Sequence, residues 1–174
     1  MPNAASAARD AMRVSDNGLA LVKAFESCMR AVKSRPGFFT PYKDSAGVLT
    51  IGWGHTNHHL PRFDGNTIWS QQQCDDALIG DMRTFERWVS ERATIVLTQN
   101  EFDALVSWSF NTGGPSSATL WKKLTAGHKD RIATELSKWN RAGGHVLAGL
   151  TRRRKAEGLL FADRVAEALK VAGI

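Results

Sequence analysis

The stretch Tyr42-Lys43-Asp44-Ser45-Ala46-Gly47-Val48-Leu49-Thr50-Ile51-Gly52-Trp53-Gly54-His55-Thr56 breaks the helical character of the chain around it. Asp44-Ser45-Ala46-Gly47 has the composition of a turn, and Val48 through Trp53 is a β-rich run. A small hairpin sheet is expected there. Upstream, Asp16 or Asn17 is placed to cap a helix that carries Leu19, Val22, Phe25 and Met29 on one face, and that helix must end before Pro36-Gly37. Downstream, residues 57–68 are polar, with Pro61 and Asp64-Gly65, and read as loop.

Helices then return. Ser70 with Gln73 makes a capping-box pattern ahead of Leu78, Met82, Phe85 and Val89, and Thr98 with Glu101 repeats it ahead of Phe102, Leu105, Val106 and Ser109. Asn111-Thr112-Gly113-Gly114-Pro115 ends that helix. Further helices are expected near 116–125, 129–139 and 151–169, with Gly143-Gly144 and Gly149 in the loop before the last. Strands gathered in one place among many helices define an α+β protein, mostly helical with a small antiparallel sheet. Residues 1–14 are expected to form an N-terminal arm and 15–174 a single domain.

Composition narrows the classes. With 174 residues, 43% hydrophobic and 23% charged, the chain is neither wholly disordered nor collagen-like, and it is long enough for a core without disulfide staples. No window approaches the ~18 consecutive apolar residues of a membrane span. Lys and Arg number 23 against 17 Asp and Glu, a net charge of +6. Such a balance suits a polyanionic partner: nucleic acid, an anionic membrane surface or an acidic wall polymer. The cations are dispersed apart from Arg152-Arg153-Arg154-Lys155. Two cysteines, Cys28 and Cys74, lack the C-x-x-C spacing of a zinc site; two buried thiols are favoured over the alternative, one disulfide. The start, MPNAASAARDAMRVSD, does not resemble a secretory signal, so synthesis in the cytoplasm is expected.

Three residues near the sheet carry the chemistry of interest. Leu19, Val22, Glu26 and Met29 fall on one helical stripe. Glu26 either lies at the edge of that stripe and reaches solvent, or is a desolvated carboxyl held ready to donate a proton. Asp44 either bonds its own turn or faces Glu26 as the second carboxylate of glycosidase chemistry. Thr50 is at home in a strand, and its hydroxyl is also suited to holding a water. His55, His58 and His59 lack the companion carboxylate helix of a metal motif. Trp88 and Trp108 read as core.

Glu26 followed by the stretch 42–56 resembles the signature of the phage-type lysozymes, glycoside hydrolase family 24. Thr98-Gln99-Asn100-Glu101-Phe102-Asp103-Ala104-Leu105 with Phe110-Asn111-Thr112-Gly113 resembles that family's middle helix and its end. Trp139-Asn140, Gly143-Gly144 and Gly149-Leu150-Thr151-Arg152-Arg153-Arg154-Lys155-Ala156-Glu157 resemble its C-terminal segment. The three blocks stand in the family's order and span roughly residues 17–162.

The resemblance implies a lysozyme-like fold, with a sheet lobe over about 38–68, a helical lobe over about 70–174 and a cleft between them. It implies a catalytic set of Glu26, Asp44 and Thr50. Phe110 and Asn111 would line the saccharide groove, and Arg153 would approach Glu26. The alternative for Asn111 is that it only ends a helix, and for the arginines, above all Arg152 and Arg154, a solvated helix face. The resemblance makes His55 a structural residue. Its substrate is the β-1,4 bond between N-acetylmuramic acid and N-acetylglucosamine of peptidoglycan, with inversion favoured and no cofactor or metal required.

The chain is accordingly expected to be a phage or prophage endolysin, monomeric, binding peptidoglycan but not nucleic acid, and not stably inserted in a membrane. It would act on the wall once the membrane is permeabilised. A non-catalytic peptidoglycan-binding module on the same fold is the alternative, and a nucleic-acid binder is a more distant one. Two departures from the family stand out: Ser27 follows Glu26 where Gly is usual, and the segment before Asp44 is long. Residues 27–43 intervene where about eight are usual, so about nine are extra, near Ala31–Phe39; added loop length costs only about 0.6 kcal/mol per doubling. They are expected to form a surface excursion pinned by Phe38 and Phe39.

Overall fold

The computed structural model describes residues 12–26, 30–44 and 46–174. The expected N-terminal arm therefore lies outside the described residues as far as residue 11, as do Cys28 and Met29. In chain order the elements are α1 (Asp16–Phe25), β1 (Phe38–Phe39), β2 (Tyr42–Lys43), β3 (Leu49–Ile51), β4 (His55–Thr56), β5 (Trp69–Ser70), α2 (Gln71–Arg92), α3 (Gln99–Thr112) and α4 (Thr119–Thr125). A 3-10 turn at Lys129–Arg131 leads into α5 (Ile132–Ser137), β6 (Arg141–Ala142), β7 (His145–Val146), α6 (Ala148–Phe161) and α7 (Val165–Ala172). The class is the expected α+β one, mostly helical with short antiparallel strands. The chain divides into two compact units. One is Glu26–Arg83; the other is the chain up to Phe25 together with Thr84–Ile174.

The helical unit is built around α3. Its capping box is complete: Glu101 N donates to Thr98 Oγ1 at 3.2 Å, and Thr98 N donates to Glu101 Oε2 at 2.8 Å. Glu101 through Ser109 are all buried, as befits a helix covered on every side. α1 and α6 pack on it, and α7 packs on α6.

Four local expectations need correction. Ser15, not Asp16 or Asn17, caps α1: its carbonyl accepts from Leu19 N at 2.9 Å and its Oγ lies 3.4 Å from Gly18 N. The reason is tertiary, because buried Asp103 on α3 holds Ser15 by accepting from its N at 3.1 Å and from its hydroxyl. Next, α1 stops at Phe25, so its buried residues are Gly18, Leu21 and Val22, and Glu26 is the first residue beyond the helix. Further, the helix expected over 151–169 is two. Asp163 breaks it with φ +62°, a conformation Asp tolerates, and its Oδ1 accepts from Asn100 Nδ2 on α3. Gly143-Gly144 likewise does not sit in an open loop. Both glycines have positive φ, 55° and 81°, and make the two-residue turn of the β6–β7 hairpin.

In the other unit β2, β3 and β4 form one antiparallel sheet, and β1 pairs with β5. Ile51, Phe63, Trp69, Cys74 and Ala77 form its core, with Phe39, Leu49 and Trp53 packed against them. Gly52 is needed twice over: its φ is +60°, and a Cβ there would lie 2.9 Å from both Cβ and Sγ of Cys74. The capping box of Ser70 and Gln73 starts α2 as expected.

Candidate active site

Glu26, Asp44 and Thr50 all belong to the Glu26–Arg83 unit. The sheet sets two of them. β2 and β3 pair Tyr42 with Thr50 and Lys43 with Leu49, and Asp44 N donates to Val48 O at 3.0 Å, which continues the register to Asp44 and Val48. Faces alternate along a strand, so the pairs Tyr42–Thr50 and Asp44–Val48 lie on the same face. Asp44 and Thr50 are therefore diagonal neighbours on one surface, about 7–8 Å apart across the strands.

Each is oriented by the turn between them. Asp44 Oδ1 accepts from Ala46 N at 2.8 Å and Val48 N at 2.9 Å, and Asp44 O accepts from Gly47 N at 2.9 Å. Both side-chain bonds fall on Oδ1, so among the described residues of the turn Oδ2 is the oxygen left unused. The turn thus engages one oxygen of the carboxylate and leaves the other to a different partner. Thr50 is buried, and its hydroxyl donates to Val48 O at 3.0 Å. With its hydrogen committed there, Oγ1 is left to act as an acceptor. Glu26 is half-buried. Its Oε2 lies 4.0 Å from the place a Cβ would take on Gly54, whose φ of +94° suits only glycine. The carboxylate therefore reaches the turn that joins β3 to β4.

His55, on β4, is a structural residue. Its Nδ1 faces Asp81 at 2.8 and 3.0 Å, its Nε2 faces Pro61 O at 2.9 Å, and its ring is packed by Phe63 and Trp69. Two acceptors, one at each nitrogen, require two N–H donors, which is the imidazolium. Burial works against that cation. The hydrogen bond and charge of Asp81 and the Pro61 carbonyl outweigh it, and the His55 pKa is raised above its ordinary value.

Phe110, Asn111 and Arg153 belong to the helical unit. Phe110 stacks edge-on against Phe85, with ring centroids 5.4 Å apart. Asn111 is exposed at the end of α3, and its Oδ1 accepts from Arg154 Nη2 at 3.0 Å. Arginine only donates, so the amide oxygen faces Arg154 and the NH2 is presented as a donor. Arg153 is buried, bonds Glu157 Oε1 at 3.2 Å and lies over the ring of Phe25, the residue before Glu26.

Arg154 overturns the solvated-face alternative for that position. It is 1% exposed and meets the fully buried Glu157 at 2.8 and 2.9 Å. Arg152 is exposed, over Phe25. The role of Arg154 in aiming Asn111 was missed in sequence, although its three-residue spacing from Glu157 on a helix is a readable signal. Asp81 offered none, being 26 residues beyond His55.

The chain matches the family model described as phage lysozyme over residues 37–157. It is 38% identical over 151 residues, 86% of its length, to the endolysin of Lactococcus phage c2. It spans between 54% and 60% of the length of four curated relatives. Among solved structures it is similar to the endolysin from Escherichia coli O157:H7 phage FAHEc1, with TM-score 0.72 and 31% identity, covering 88% of this chain and 95% of that one. It is also similar to the muramidase domain of SpmX from Asticaccaulis excentricus, with TM-score 0.72 and 28% identity, covering 86% of this chain and 97% of that one.

Proposed function

The chain belongs to the phage lysozyme family, and on that premise we propose that it is a peptidoglycan muramidase of the endolysin kind. It hydrolyses the β-1,4 bond between N-acetylmuramic acid and N-acetylglucosamine. Glu26 delivers its proton to the glycosidic oxygen as the bond from that oxygen to the anomeric carbon breaks. A water attacks the anomeric carbon from the opposite face. One of its hydrogens is accepted by Asp44 Oδ2, which takes the proton as the new C–O bond forms. The other is accepted by Thr50 Oγ1. The products are a new reducing end, inverted at the anomeric carbon, and a free hydroxyl on the leaving sugar. Phe110 and Asn111 serve the saccharide, Asn111 through its NH2, and Arg153 is a positioning residue.

The observation that carries this reading is the division of labour on one sheet face. Asp44 Oδ1 is taken by the turn and the Thr50 hydrogen by Val48 O, so each side chain keeps an acceptor oxygen for a water. The enzyme reaches its polymer after the membrane is permeabilised; no helix among the described residues is long and apolar enough to cross one.

The test is digestion of purified peptidoglycan with mass analysis of the new ends. Reducing N-acetylmuramic acid ends are expected. Reducing N-acetylglucosamine ends, anhydro ends or free peptides would replace the reading with another wall hydrolase. Glu26→Gln, which has no proton to give, is expected to lose at least about a thousandfold in turnover with fold retained, and Asp44→Asn somewhat less. A folded Glu26→Gln protein within about tenfold of the parent would move the acid elsewhere.

A further inference from the structure

Between Glu26 and Asp44 the chain carries Arg30, Lys33, Arg35 and Lys43 and not one Asp or Glu. This is the segment that is longer than usual for the family, and it is not a slack loop. Thr40 N donates to Arg30 O at 2.9 Å and Val32 N to Phe38 O at 2.8 Å, with Ala31 bridged to Phe39 between them. Residues 30–40 are therefore a β-hairpin. Arg35 N donates to Val32 O and Phe38 N to Arg35 O across its tip. Its base is fixed to the sheet unit by the pairs Phe38–Ser70 and Phe39–Trp69 and by Gln71 N donating to Gly37 O at 3.0 Å.

The tip holds its charges outward. Lys33, Ser34, Arg35, Pro36 and Gly37 are exposed. The Arg35 guanidinium lies flat on the Phe38 ring, 3.6 Å from its centroid, which fixes the fork while leaving its N–H groups to solvent. Among the described residues neither Lys33 nor Arg35 has a carboxylate partner. Elsewhere in the chain exposed cations do find one: Arg131 meets Asp130, and Arg164 meets Glu167.

We infer that this hairpin is a specificity element that binds the carboxylates of the peptidoglycan stem peptide, through Lys33 and Arg35. The inference rests on the muramidase reading and adds which part of the substrate is recognised. Three considerations select this ligand. The glycan of peptidoglycan carries its carboxylates on the stem peptide, which hangs from the muramic acid next to the bond to be cut. The hairpin leaves the chain four residues after Glu26 and rejoins it four before Asp44. Lys33 and Arg35 at its tip are seven and nine residues from Glu26, so the chain allows them up to about 25 and 32 Å from it, of which an extended four-residue peptide bridges about 14 Å. An exposed cation pair on a rigid arm also adds affinity without touching the reacting atoms, so it acts on KM rather than kcat.

The experiment compares native peptidoglycan with peptidoglycan whose carboxylates have been converted to amides by carbodiimide and ammonia. The parent, K33Q/R35Q and the charge-preserving K33R/R35K are assayed on both by release of reducing ends. The parent is expected to show a KM about three- to tenfold lower on the native polymer, the size two exposed ion pairs provide. In K33Q/R35Q that ratio should collapse toward one with kcat retained, and in K33R/R35K it should persist. A parent that does not distinguish the two polymers, or a K33Q/R35Q protein with the parent's ratio, overturns the proposal and leaves the muramidase reading standing. A folded parent that releases no reducing ends from either polymer removes both.

Discussion

His55 shows what a single residue does when both of its ring nitrogens meet acceptors. Asp81 and the Pro61 carbonyl hold it as a cation inside the sheet unit, so its pKa is raised in the folded chain. The folded state then binds this proton more tightly than the unfolded state does. The stabilisation is complete below the ordinary histidine value near 6.5 and is lost as pH rises through the higher folded value. Denaturant unfolding of the parent should show stability falling over that window, and Asp81→Asn should flatten the fall. Parallel profiles would mean that the imidazole is neutral in the fold. Glu26, Asp44 and Thr50 stood out as candidates by residue type and order, although the spacing of Glu26 from Asp44 is longer than the family's. What could not be read was which oxygen of Asp44 the turn consumes, since that depends on where Ala46 and Val48 place their N–H groups.

At the scale of the element, α1 is a helix whose sequence argues against part of its own interior. Gly18 lies inside it, where Ala would raise helix propensity by about 1 kcal/mol. The structure reverses that preference. A Cβ on Gly18 would sit 2.7 Å from Cγ and 2.8 Å from Cβ of Asp103, and 2.8 Å from Val14 Cγ1. Asp103 cannot give way cheaply, because it also binds Ser15 at the helix start and Gln99 on its own helix. Gly18→Ala is therefore expected to lower stability by about 1–3 kcal/mol in denaturant unfolding, and an equal or more stable variant would show that α1 shifts freely on α3. The same contact explains why the cap was assigned one residue late. Ser15, Asp16 and Asn17 are all good caps, and Asp103, 88 residues away, selects the first. The break between α6 and α7 has a similar origin, with Asn100 holding the Asp163 side chain.

For the molecule as a whole, a net charge of +6 and the wall-polymer substrate proposed above raise the question of access. If the enzyme acts only after the membrane is permeabilised, cells expressing this chain should keep their turbidity until a membrane-disrupting agent is added, and then clear. Clearing on expression alone, with the protein recovered outside the inner membrane, would reverse that expectation. Much of the molecule was decided by the sequence. The β-rich run Val48–Trp53, the two capping boxes and the turn at Asp44 fix the α+β class, because these signals act over a few residues and need no partner. The proposed set of Glu26, Asp44 and Thr50 came from the order of motifs that resemble the family's. Tertiary structure alone decided where charge is buried. Arg154 sits in a run of four cations that reads as solvated, yet it lies beneath the surface against Glu157 and aims Asn111. Tertiary structure also made the segment after Glu26 a pinned hairpin, because its pairing partner, Trp69–Ser70, lies some thirty residues further on. Local patterning fixes what a residue can do, whereas burial and pairing across long separations depend on contacts that form only when the whole chain folds.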